Sequence, residues 1–466
     1  MSSVRSGLKN DLLSRAFVAV WAAEVRRQEV TLMVHDDKPV GLDGLQVVFD
    51  DERVVSDAGV ALVATLAQRL GIEALAQQRV RLRRERPGAA NAGRKIVALV
   101  YAMALGADSI DDTEILRAGR TQRLLGGWVP APSTLGTFLR AFTFGHVRQL
   151  DALLGQALER AWQAGAGPSE GRLVIDVDSF VGEVCGRLKQ GAAHGYTKLL
   201  GYHPILATRA DTRETLHIRL RKGSANTQKG IVRFTDELIA RVTRAGATGV
   251  KLLRADSGFW NTKVFERLER AGWQYSIGVR MIKTVRAAVE AIDEDAWQTI
   301  DYPAGGEAQI AETSYGGRRL IVRRTRLLGA QAELWPDWRH FCLISNRDEE
   351  IALVEAEHRE HAVVEQVIAD LKDQALAHFP SGDFNANGAW TVLAALAHNL
   401  LRWTQLLGLP NTTVRAARTL RRRLLAVPGR LTRHAGGWTL HLPARWPWHR
   451  DYLNALNRIR ALPAPA

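Results

Sequence analysis

Cysteine is nearly absent from this chain of 466 residues, which holds only Cys185 and Cys342. The two lie far apart and in no CxxC or Cys/His pattern. That argues against a disulfide framework or a structural zinc site, and it fits a reducing compartment. Long apolar runs are missing too. The longest, near 97–105, is well short of the roughly 18 residues that a membrane span needs. The opening segment MSSVRSGLKNDLLSRAF has neither the apolar stretch nor the small-residue cleavage site of a secretory leader. The expected location is the cytoplasm. Acid is scarce beside base: Asp and Glu number 49 against 63 Lys and Arg, a net charge of +14. Such an excess points to a polyanionic partner, most simply DNA or RNA. An arginine-rich composition drawn from a GC-rich genome would give the same balance. No internal repeat or low-complexity tract is present.

Length alone is a prior for two to four domains. Residues 1–50 are mixed in character, and residues 56–168 read mainly as helices. Spaced apolar residues predict one over 57–70 and another over 147–164, and 96–104 reads as a buried apolar segment. Ser133, after Pro132, is placed to cap a helix over 134–144. Gly165–Gly171 (GAGPSEG) is the clearest linker. Past it the texture changes. Strands are expected at 173–178, 203–209, 215–221, 250–255 and 274–279, with helices at 231–245 and at 261–271, the latter capped by Asn261. Three strands, a helix, a strand, a helix and a strand is the element order of an RNase H-like α/β core. Residues 298–345 are rich in β signals, with turns at Gly305-Gly306 and Gly316-Gly317. Helical character returns at 358–377, and 390–407 is a strongly apolar helix. The last segment, 411–466, carries 11 arginines and one acid, Asp451, with Trp438, Trp446, Trp448 and Tyr452 interleaved. Phosphate-contacting arginines beside base-stacking aromatics have this composition, and so does a solvated helix beside a Trp-Pro-Trp packing corner.

Three acidic segments carry the chemistry. In Leu173–Ser179 (LVIDVDS) strand alternation puts Asp176 and Asp178 on one face, where two acids on a core strand require a counter-ion. In Leu252–Asn261 (LLRADSGFWN) Asp256 stands where a buried strand ends, the usual ligand position in an α/β sheet. In the helix expected at 358–377, His358, His361, Glu365 and Lys372 fall at spacings of three, four and seven and share a face. A zinc reading of His358, His361 and Glu365 lacks the HExxH arrangement. Phosphoryl transfer on nucleic acid commonly uses two divalent ions about 4 Å apart, and Mg²⁺ takes oxygen ligands from a few carboxylates. Acids scattered in sequence that converge in the fold are the expected signature. Each segment also has a structural reading: a strand-end acid in solvent, a turn aspartate capping local N–H groups, and a salt-bridged helix.

From about residue 56 to its end the chain resembles the bacterial insertion-sequence transposases of the thirteen-eighty family, whose catalytic part is a DDE domain. The stretches that carry the resemblance are Gly191–Tyr202 (GAAHGYTKLLGY), Asp211–Asn226 (DTRETLHIRLRKGSAN), Arg254–Phe259 (RADSGF) and Ala395–Trp403 (ALAHNLLRW). The resemblance implies a catalytic triad of Asp178, Asp256 and Glu365, with Asp176 as an alternative first aspartate and metal ligand. Phe180 replaces the threonine usual after that aspartate. Related enzymes carry Tyr-x2-Arg-x3-Glu-x6-Lys around the glutamate; here Glu365 and Lys372 keep the last spacing, and His358 and His361 replace Tyr and Arg. The implied fold is an RNase H-like mixed sheet with flanking helices and a β-rich insertion, preceded by a mainly helical N-terminal region. The implied boundaries are 1–168 for an end-binding helical region, 169–297 and 341–408 for the core, 298–340 for the insertion, and 409–466 for a basic DNA-contacting region. In the insertion, Trp335 and Trp338 are candidates for stacking on a base, with core packing the plainer reading. Arg79–Arg86 (RVRLRRER) and the helix-turn-helix-like Pro132–Arg140 are candidates for end binding.

The implied activity is cut-and-paste transposition: binding of terminal inverted repeats by a homodimer, then cleavage and strand transfer into target DNA. Two Mg²⁺ ions, with Mn²⁺ able to substitute, serve as cofactors at the bacterial nucleoid. Lys198, Lys222, Lys372, Arg421, Arg422 and Arg423 are the candidate DNA contacts. The competing readings are a transposase-derived DNA-binding protein that no longer cuts, and a glycosidase-like hydrolase, which also pairs two carboxylates.

Overall fold

The computed structural model describes residues 42–83, 85, 87–195, 197–301, 306–327 and 338–463. Residues 52–466 form one compact unit. Of the separate unit 1–51, the described part holds a single exposed 3-10 turn, Leu42–Gly44.

The larger unit is built on a nine-stranded sheet. Its strands are β1 (Leu173–Ser179), β2 (Ile205–Arg209), β3 (Thr215–Arg219), β4 (Lys251–Ala255), β5 (Gln274–Val279), β6 (Gln298–Ile300), β7 (Gly306–Tyr315), β8 (Arg318–Leu327) and β9 (Arg339–Ser345). The spatial order is β6-β7-β8-β9-β5-β4-β1-β2-β3. Strand β4 runs parallel to both β1 and β5, and every other pair of neighbours is antiparallel. β4 and β5 are almost wholly buried, as parallel strands covered by helices on both faces must be. The β-rich run at 298–345 continues this sheet from the free edge of β5. Its longest hairpin turns at Gly316 and Gly317, both in the left-handed region that glycine reaches without a Cβ penalty. The turn expected at Gly305-Gly306 lies partly outside the described residues, and Trp335 lies wholly outside them.

The helix Phe384–Gly408 is the spine of the helical layer. Of its 25 residues, 22 are buried, so it must be surrounded on all sides. The helices Val60–Arg69, Ala92–Leu105, Phe144–Ala161 and His449–Ala461 pack on it, and so does β3. Glu214 ties this layer to the sheet. It has no exposure, and its carboxylate accepts from Trp162 Nε1 at 3.1 Å, Trp403 Nε1 at 2.6 Å, Thr212 Oγ1 at 2.6 Å and Arg209 at 3.2 Å. A buried carboxylate supplied with four donors is an anchor, which gives the DTRET stretch a structural role.

Two local expectations are corrected. Ser133 is not a cap: the helix Pro132–Arg140 begins two residues earlier than expected, with Pro132 at its first position, where the missing N–H costs nothing. The helix expected across 358–377 is interrupted. Ile351–Arg359 and Val363–Lys372 are separate helices joined by a 3-10 turn at Glu360–Ala362, so the stretch is not one continuous α-helix. No helix among the described residues is long and apolar enough to cross a membrane.

Candidate active site

Strand register brings the two aspartates together. Val177 pairs with Ala255 across the parallel β1 and β4, so Asp178 and Asp256 follow one step later on adjacent strands. Asp178 Oδ1 accepts from Ser179 N–H at 2.6 Å, and Asp256 Oδ1 from Gly258 N–H at 3.0 Å. Each carboxylate is thus fixed through one oxygen. The turn after Asp256 is tight. A Cβ on Gly258 would sit 2.8 Å from Thr227 Cγ2, and one on Gly278 of β5 would sit 2.8 Å from Ser257 N, so both positions need glycine for close approach. Glu365 comes from the helix Val363–Lys372, which packs Val364, Val367 and Leu371 inward and leaves Glu365 exposed. His361 docks the preceding turn, its Nε2–H reaching the Val177 carbonyl at 3.2 Å.

Asp178 senses the other two acids. Burial pushes the Asp178 carboxyl up to about 6, the Ser179 N–H and His361 oppose this, and the charges of Asp256 and Glu365 add to it. None of the three has an ion-pair partner among the described residues. Neighbouring like charges without a counter-ion, offering only oxygen, suit a hard divalent cation, although the three carboxylates do not all lie within 4.8 Å of one another in this structure. One consequence is measurable. In the folded protein Asp178 ionises near 6 instead of its ordinary 3.8, so its charged form costs stability above about pH 6. That cost is relieved as pH falls from 6 toward 4. Near pH 7 without metal, Asp178→Asn should therefore raise the melting temperature, by a stabilisation on the order of 2 kcal/mol. Adding Mg²⁺ or Mn²⁺ should stabilise the wild type and leave the variant much less changed. Equal melting temperatures for all four samples would contradict this account.

Asp176 is used differently. It has no exposure, and both its oxygens are taken by Arg254, at 2.7 and 2.9 Å. Burial pushes its carboxyl up against the pull of that guanidinium. The histidines also serve the protein. The His358 and His361 rings stack with centroids 6.4 Å apart, and His358 Nδ1 bonds Ser276 Oγ at 2.8 Å. Burial pushes His358 down to about 3. Neither ring converges with Glu365 on a zinc geometry.

Asp178 and Asp256 open into a cleft of about 720 Å³, walled by the small strands Ala193–His194 and Leu200–Tyr202 and by Gly223–Thr227. A second cavity, of about 480 Å³, reaches Asp256 from the β5–β9 side. Arg280, at the end of β5, lines both; it is exposed and makes no side-chain hydrogen bond or ion pair among the described residues. Sequence reading missed it. Its signal was its place just past the third parallel strand, the same position that singled out Asp256.

The other candidates scatter. Lys372 lies 5.3 Å from the Phe180 ring, beside the end of β1. Lys222 is exposed next to the cleft wall, and Lys198 is exposed in a left-handed conformation. Arg421 is engaged within the protein, bonding Asp373 and Gln374 at 2.9 Å each. Arg422 is exposed, and Arg423 lies over the Trp448 ring at 5.4 Å. Trp338 is packed by Arg324 and Arg326, at 4.6 and 4.7 Å. Arg79 bonds Gln156, and Pro132–Arg140 buries Leu135, Phe138 and Leu139.

Among the described residues, one trio of candidate metal ligands lies within 4.8 Å of one another: Asp151, His217 and Glu237. It is already neutralised. Arg148 and Arg241 pair with Asp151, and Arg148, Arg219 and Arg233 with Glu237. Burial would raise Asp151, yet Arg241, His217 and Arg148 hold it well below the usual range. A divalent cation would enter a site already holding four guanidiniums, so we read the trio as an ion-pair clamp joining the helices Phe144–Ala161 and Ile231–Arg244 to β3.

No protein of curated function matches this sequence. Among solved structures the chain is similar to a piggyBac transposase in a synaptic complex with hairpin DNA, at 12% identity, 80% coverage of each chain and a TM-score of 0.46. The family description Transposase DDE domain group 1 matches residues 38–464, nearly the whole chain. This protein belongs to that family of DDE transposases.

Proposed function

We infer that the protein is an insertion-sequence transposase of the thirteen-eighty kind, which binds the terminal inverted repeats of its element and moves it by cut-and-paste. The observation that carries this reading is the pair of carboxylates Asp178 and Asp256, without ion-pair partners at the ends of β1 and β4 in an open cleft, with the charge of Glu365 close enough to act on Asp178. The order β3-β2-β1-β4-β5, with β1, β4 and β5 parallel, supports an RNase H-like core.

In this reading Asp178, Asp256 and Glu365 hold the metal. Two Mg²⁺ ions, or Mn²⁺, would supply activation of the attacking water or 3′-hydroxyl and stabilisation of the leaving oxygen. The protein's own part is positioning. Ser179 and Gly258 each hold one carboxylate oxygen and leave the other for a ligand. Arg280 reaches both cavities and is placed to hold a phosphate across Asp256, with Lys372, Lys222 and Lys198 as outer phosphate contacts. Asp176 stays with Arg254 as a structural pair. The protein acts as a homodimer bridging two ends.

The test is to incubate the protein with duplexes spanning the DNA that flanks its gene. Cutting at an inverted-repeat boundary should require Mg²⁺ or Mn²⁺ and stop with EDTA. Tight end binding with no cutting in either metal would favour the inactive DNA-binding reading.

A further inference from the structure

The C-terminal basic segment folds into a hairpin, Gly429–His434 with Gly437–His441, whose first strand also pairs with Val54–Val55. From 428 to 450 the sequence has four arginines, three histidines and no carboxylate. Trp438 stands on the hairpin at 48% exposure, although a tryptophan usually buries most of its surface. Three guanidiniums surround its ring: Arg120 at 5.7 Å, Arg433 at 5.8 Å and Arg123 at 6.0 Å from its centroid. Arg120 is anchored by donating to the Leu431 carbonyl at 2.7 Å, which fixes the helical layer's contribution to the patch. Arg123 and Arg433 are exposed and make no side-chain hydrogen bond or ion pair among the described residues. Like charges drawn around one ring, two of them without an ion-pair partner among the described residues, are unfavourable unless a polyanion neutralises them. None of these residues lines the cleft that holds Asp178 and Asp256.

We propose that this hairpin, with Arg120 and Arg123, is a second DNA-binding surface. It grips the phosphate backbone of the element-end duplex away from the cut, and the Trp438 ring both fixes the guanidiniums and lies against the duplex. This rests on the transposase reading of the cleft and adds a site to it.

The experiment uses the full-length protein and a 40-base-pair end duplex, with affinity measured across a salt series. Each phosphate contact contributes about 0.9 to the slope of log affinity against log salt. The double variant Arg123→Ala, Arg433→Ala should lower that slope by about 2 and weaken binding by roughly tenfold or more near 0.15 M salt. Replacing both by Lys should keep most of the slope, because the charge remains, and Trp438→Ala should weaken binding with little change in slope. An unchanged slope in the double alanine variant, with matching melting curves and a wild type that cuts its ends, would overturn the proposal and leave the transposase reading intact. So would loss of binding to phosphatidylserine vesicles with the DNA slope unaltered, which would assign the patch to an anionic lipid surface. A wild type that binds no end duplex would overturn both readings.

Discussion

Asp256→Asn should reduce cleavage of element-end DNA by about 10³-fold or more, equivalent to roughly 4 kcal/mol of transition-state stabilisation. The reasoning starts from the position of the side chain. Asp256 follows β4 directly, has one oxygen fixed by Gly258 N–H, and lines both cavities that meet at the site. Asparagine keeps the shape and that hydrogen bond but removes the charge and one metal-binding oxygen. Binding of the end duplex should survive, because phosphate contacts come from cationic side chains elsewhere. The measurement is single-turnover cleavage with all DNA bound, beside a binding assay in EDTA. A variant that retains more than a tenth of wild-type cleavage in Mg²⁺ would remove Asp256 from the metal site. A variant that loses DNA binding as well would show that the carboxylate supports the fold of the cleft, and a melting curve separates that case.

Much of the frame was legible because strand and helix periods are strong local signals. β5 was read to the residue. Asn261 was read as a cap, and its side chain does accept from Lys263 N–H at 2.9 Å. Other features depend on groups distant in sequence. The break at Glu360–Ala362 carries no glycine or proline; it arises where His361 reaches across to the Val177 carbonyl, a contact 184 residues apart. Alternation along β1 put Asp176 and Asp178 on one face and could not divide their roles. The division comes from β4, where Arg254 stands two residues before Asp256 as Asp176 stands two before Asp178. Parallel register sets Asp176 opposite Arg254. Arg254 and Asp256 share a face of β4 for the same reason that the two aspartates share one on β1. An arginine in that phase was the available clue that one of the two acids already had a counter-ion. The hairpin around Trp438 shows the same limit: composition placed arginine and tryptophan in the last segment, whereas Arg120 and Arg123 join them only through the fold.

The Asp176–Arg254 pair supports the second large effect. Both side chains are essentially buried, and two hydrogen bonds join them at 2.7 and 2.9 Å. Arg254 also reaches the Glu357 carbonyl and lies 3.5 Å from Glu360, so the pair ties β1 and β4 to the helix Ile351–Arg359 and the turn after it. Removing one partner strands the other in a site without water. Such single deletions cost about 3–5 kcal/mol, whereas replacing both by apolar residues is often close to neutral. Asp176→Asn and Arg254→Met should therefore each lower the unfolding midpoint strongly, and Asp176→Leu combined with Arg254→Met should recover most of the loss. The same variants decide which aspartate serves the metal. With Asp176 structural, folded Asp176→Asn protein keeps the stabilisation by Mg²⁺ or Mn²⁺ that Asp178→Asn loses. An Asp176→Asn variant with wild-type stability and no response to either ion would move the first metal ligand from Asp178 to Asp176 and make the contact with Arg254 secondary.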